Sequence, residues 1–257
     1  MRSKLLTTNV FILIIGFMAS LPTITFAAAL SPAELAQVYA CRATSSLLLL
    51  RGEGFQKTHQ QRLENDLQAL NGAMQAISQP SQSLITTRTE LVTQLRNGVS
   101  YGPSEDNVPW RYPQELSKAL REFLHEARQM PQGSDNELPV EVEYLAVQYL
   151  SRSYMGTFEI AREQPDTYLG QDERILLPKI DRQLNDLGSS DDPAQNKLRA
   201  RWEYLKSALA DMNSKSNTLQ SVSGKPFAPI TVDRHSRTLT QNWMDRQLTT
   251  PSVAAQP

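Results

Sequence analysis

Seven stretches of this chain set apolar residues three and four positions apart, the spacing of a helix with one oily face. Runs of β-branched residues long enough for a strand are nearly absent, and glycine is scarce. That pattern restricts the chain to helix-on-helix packing. The expected fold is all-α, an elongated antiparallel bundle of about seven helices.

Ser31-Pro32-Ala33-Glu34 reads as a capping box with proline at the first helical position, and it predicts a helix running to about Leu50. Gly52 and Gly54 break the pattern. Leu63, Leu67, Leu70, Met74 and Ile77 then form the seam of a second helix. A third follows Pro80, with Ile85, Val92, Leu95 and Val99 expected inward. After a polar, proline-containing loop, a fourth spans about 113–130 and buries Leu116, Leu120, Phe123, Ala127 and Met130. A fifth is expected over about 139–162, carrying Val140, Tyr144, Val147, Tyr154 and Phe158 on one face. A sixth holds Leu177, Ile180, Leu184 and Leu187 in register. The seventh, capped by Asp191-Asp192-Pro193, has the cleanest stripe: Leu198, Trp202, Leu205, Leu209, Met212 and Leu219. Beyond Gly224 the pattern stops. Pro226 and Pro229 suggest an extended strap, then a short helix over 238–248 and a disordered tail over 251–257. The expected modules are 31–130 and 138–223, with the strap and short helix over 224–250.

The first residues decide the location. Arg2 and Lys4 precede an uncharged apolar run, Val10 to Leu21, which ends at Pro22. Small residues at Thr25, Ala27 and Ala29 then suit a signal peptidase, so residues 1–27 read as a cleavable export signal, cut after Ala27 or Ala29. The run is shorter than the roughly 20 residues a membrane span needs. Val38-Tyr39-Ala40-Cys41 mimics a lipid-attachment motif, but Pro32 and Glu34 separate it from the apolar core. The expected protein is periplasmic or secreted and does not span the membrane after cleavage. About 230 residues remain, enough for one large domain or two small ones.

Formal net charge is −1, and loss of Arg2 and Lys4 takes it to −3. With no basic block, nucleic acid is not an expected partner. The single cysteine cannot form an internal disulfide and is expected as a buried thiol. A shift of 110 positions brings the two halves into phase, with Tyr39 and Arg42 on Tyr149 and Arg152, and Leu67 and Leu70 on Leu177 and Ile180. This suggests an internal duplication, although any two amphipathic segments can be slid into register.

Catalytic and metal motifs fail on context. Gly98-Val99-Ser100-Tyr101-Gly102 matches the nucleophile elbow, but that elbow requires a strand before the serine, and a helix precedes it here. His59, His125 and His235 are scattered and no second cysteine exists, so no metal or other cofactor is expected. The polar centre of the first helix is more suggestive. Arg42 and Ser46 share a face with Leu35, Tyr39 and Leu49, and Ser151-Arg152-Ser153 interrupts a tyrosine-rich stretch. A buried arginine must meet an acid or an anion. Arg42, Ser46, Arg152 and Tyr149 are therefore the candidate ligand-binding residues. Ion pairing with a neighbouring helix is the plainer reading.

The expected function is that of an exported, non-enzymatic helical binding or accessory protein, which contacts another extracytoplasmic or membrane protein. The alternative is a soluble periplasmic sensor of a small anion. At the level of fold, an Arg- and Ser-containing helix at the start of each module resembles the tandem helical sensory domains of some bacterial chemoreceptors. That resemblance implies a ligand near Arg42 or Arg152, although the motif characteristic of those domains is not readable here.

Overall fold

A computed structural model of the chain describes residues 30–131, 137–186, 193–210, 212 and 227–249. Among these residues there are eight α-helices and no strand. They are α1 (Pro32–Gly52), α2 (Lys57–Ala76), α3 (Gln82–Ser100), α4 (Tyr112–Arg128), α5 (Leu138–Tyr154), α6 (Glu173–Asn185), α7 (Pro193–Ala210) and α8 (Pro229–Thr249). The all-α bundle follows the periodicity. The export signal, the 251–257 tail, Leu187, the Asp191-Asp192 cap and Leu219 lie outside the described residues.

Helices α1 and α5 form the centre. From Ala33 to Arg51 nearly every residue of α1 is buried, and so is all of α5 from Leu138 to Ser151. A helix without a polar face has to be covered on all sides. Helix α1 packs on α2, α3, α4, α5 and α8, and α5 packs on α1, α6 and α8. The two central helices run parallel. Arg42 meets Glu143 near their middles, and Glu53 meets Tyr154 at their ends. Gly52 permits this approach, because a Cβ there would lie 2.2 Å from the Tyr154 ring. The Ser31 capping box forms as expected, with the Ser31 hydroxyl accepting from the Glu34 N–H and the Glu34 carboxylate accepting from the Ser31 N–H.

Three expectations are corrected. Helix α3 is turned by one position: Leu84, Leu91, Leu95 and Gly98 face inward, and Ile85 is 40 % exposed. Gly98 sets that phase, since a Cβ there would meet the Tyr112 hydroxyl at 2.1 Å and Leu47 at 2.8 Å. Helix α5 stops at Tyr154 rather than near 162. Gly156 adopts φ +74°, a left-handed conformation that ends a helix, and the Met155 N–H closes the last turn on the Ser151 carbonyl at 2.8 Å. Phe158 is still buried, edge-on to Tyr144 at 5.5 Å. Finally, the short terminal helix expected from 238 begins at Pro229 and runs to Thr249, which leaves little of the strap. It packs on α5 and α7, and touches α1.

Candidate functional site

The polar centre anticipated at Arg42 exists, and protein groups fill it. Helices α1, α2, α5 and α8 bring three arginines and three acids together. The Arg42 Nε donates to Glu143 Oε1 at 2.7 Å. Its Nη1 donates to Gln241 Oε1 at 3.2 Å, and its Nη2 donates to Thr240 Oγ1 at 2.8 Å and to the Arg237 carbonyl at 3.3 Å. Arg237 clasps Asp66 with both terminal nitrogens, at 2.9 and 2.8 Å, and its Nε reaches Asp233 at 3.0 Å. Ser46 donates to Asp66 at 2.6 Å and accepts from Arg237 and Arg62. Arg62 completes the set on Asp233 at 2.9 Å.

The cluster balances in charge. Burial opposes the charged form of Arg237, yet Asp233 and Asp66 carry its pKa above the usual value. Beside the cluster, burial first and the Glu143 carboxylate second push the Cys41 thiol well up, so it stays a neutral, buried thiol. Every nitrogen of the Arg42 guanidinium donates to a protein oxygen. The arrangement ties α8 to α1, α2 and α5 in one register.

The other candidates are placed apart. Arg152 pairs with Glu173 at 3.3 Å across α5 and α6. Tyr149 is buried and its hydroxyl donates to the Phe227 carbonyl at 2.7 Å. Thus Arg42 and Ser46 share one cluster, while Arg152 and Tyr149 make separate contacts. Ser100 is the last residue of α3, and its hydroxyl bonds back to the Asn97 carbonyl at 2.8 Å, so no strand presents it. His235 stacks on Tyr204 at 4.3 Å, and His125 meets Gln164 at 3.0 Å. Among the described residues no group of three His, Cys, Asp or Glu could hold a metal ion, and no helix is long and apolar enough to cross a membrane.

Among the described residues two surface clefts are lined by neither Arg42 nor Arg152. One is lined mainly by charged and polar side chains around Arg121 and His125, with Ala161 on its wall. The other, about 240 Å³, lies where α1 and α5 end together, beneath the loop joining α3 to α4. Arg51 and Tyr154 line it, with Val108, Pro109, Trp110 and Met155 as apolar walls. Arg51 is fixed by two backbone carbonyls, Gly98 at 2.7 Å and Gly102 at 3.0 Å, and lies 5.5 Å from the Phe55 ring centre. Gly102 reaches its place at φ +67°. Trp110 is 77 % exposed, with Arg111 stacked on its ring at 4.7 Å. Comparison with known protein families, curated proteins and solved structures finds no match for the chain.

Sequence reasoning passed over Glu143, Asp66, Arg237, Arg51 and Trp110. The sequence did hold two signals. Glu141 and Glu143 sit inside the apolar run Leu138 to Leu150, where an acid must have a partner. Trp110 lies in a loop between prolines, where a large ring has little reason to be unless something covers it.

Proposed function

We propose that the protein is exported through a cleavable signal and works as a non-enzymatic binding protein, docking another extracytoplasmic or membrane protein on the face around Trp110. Trp110 carries this reading. Tryptophan is the residue most enriched where interfaces concentrate their energy. Here its ring stands in solvent beside Val108, Pro109 and Met155, at the edge of a cleft. The other described tryptophans, Trp202 and Trp243, are buried. The order of charge, apolar run and small residues over 2–29 supports export.

The test is photocrosslinking in intact cells. A photoreactive phenylalanine replaces Trp110 in one strain and the exposed Ile175 in another. A discrete adduct from position 110, absent from 175, is expected. No adduct, or the same adducts from both positions, counts against the docking face. For export, the mature chain should begin at Ala28 or Leu30. Recovery of Met1 in that pool contradicts it.

A further inference from the structure

The Arg51 guanidinium is held on one side only. Its Nη1 serves two carbonyls, but its Nη2 is shielded from solvent and makes no hydrogen bond. The nearest acid is Glu105, whose carboxylate stands 3.6 Å from that nitrogen. Charge-assisted pairs close to about 2.7–2.9 Å, so this contact is loose. The Glu105 side chain is 78 % exposed and belongs to a single 3-10 turn, Glu105–Asn107, so swinging it away disturbs little packing. A buried guanidinium thus faces a cleft with its best donor unused and a poorly seated carboxylate across it.

We infer that the cleft takes a carboxylate carried on an extended peptide segment of the partner, received by Arg51 Nη2, and that Glu105 is the internal stand-in this carboxylate displaces. The inference rests on the docking face proposed above and names the chemistry recognised there. The volume, about 240 Å³, suits one or two side chains rather than a whole small-molecule ligand. The walls formed by Val108, Pro109 and Met155 accept an apolar neighbour of the acidic residue, and the Trp110 ring accepts the next one. A dianionic phosphate suits the cleft less well. Glu105 lines the cleft and Glu53 is bonded to the hydroxyl of the lining Tyr154, and each repels a second negative charge.

The experiment uses the full mature chain and a panel of acetylated pentapeptide amides. Each has Asp or Glu at the centre and apolar residues around it, and each is paired with its Asn or Gln counterpart. Binding is read by calorimetry. Acidic members are expected to bind, and their amide counterparts at least tenfold more weakly. Glu105→Gln removes the competing charge at an exposed site and should tighten the acidic peptides several-fold. Arg51→Met should abolish binding in a chain that circular dichroism shows to be folded. Equal binding of acid and amide peptides overturns the inference. So does Glu105→Gln leaving affinity unchanged or weaker, or acetate alone matching the peptides. If neither the wild type nor Glu105→Gln binds any peptide, the carboxylate chemistry falls. The crosslink from position 110 then judges the docking face separately.

Discussion

Arg42 and Arg51 belong to the same helix and both are buried, but their surroundings differ. Arg42 donates from all three of its guanidinium nitrogens, in a cluster whose three arginines and three acids cancel in charge. Arg51 lies at the helix end. Backbone carbonyls hold one side of it, and its other side faces a cleft and a loose acid. A buried charge in a sequence shows that partners must exist. Whether they are all internal depends on residues far along the chain, here Glu143, Arg237 and Thr240 for Arg42. The first arginine is therefore structural, and the second is the one we propose for recognition.

The largest expected effect lies in the matched cluster. Arg42→Met strands Glu143, which has no solvent exposure, and should cost about 3–5 kcal/mol in denaturant unfolding. The double change Arg42→Met with Glu143→Leu should recover most of that loss, because an apolar pair replaces a buried ion pair at little net cost. A single-variant loss under about 1 kcal/mol, close to the roughly 0.5 kcal/mol range of exposed sites, would break the comparison. Arg51→Met should cost less, about 1–3 kcal/mol, since it leaves carbonyls rather than a buried acid without a partner.

A weaker effect follows from pH. Burial first and nearby arginines second lower the pKa of His59 and of His235. Both are then protonated more readily in the unfolded chain, whose histidines titrate at about 6.5. Their contribution is full above that value and is lost as pH falls through the lower folded values. The melting temperature should therefore fall between pH 7.5 and 5, and His59→Gln should flatten the dependence. A melting temperature that rises on acidification would contradict this sign.

Local chemistry made part of this legible from sequence. The Ser31 box and the α2 seam depend on neighbours within one or two turns, and both appear as read. The phase of α3 depends on Tyr112 pressing against Gly98, a contact that spacing cannot show. The first half of α8 went unread because polar residues share its packing. Asp233, Ser236 and Thr240 turn inward beside Val232 and Leu239, so the usual contrast between oily and polar faces is missing. For the candidate site, Arg42 and Ser46 were visible as polar residues on an oily face. Their closure by Glu143, Asp66 and Arg237 required the fold. Arg51 and Trp110 were hidden because neither breaks a periodic pattern. One ends a helix and the other stands in a loop.

The smallest expected stability change divides structure from recognition most directly. Trp110→Ala is compared with wild type in one preparation, by thermal melting and by capture of the native partner. Trp110 lies largely in solvent, so unfolding stability should move by no more than about 0.5 kcal/mol. Loss of an exposed aromatic anchor should cut capture by tenfold or more, in line with the roughly 2 kcal/mol typical of such residues. An unchanged melt with lost capture is the predicted result. Capture at the wild-type level by the folded variant would contradict the assignment of the Trp110 face as the working surface.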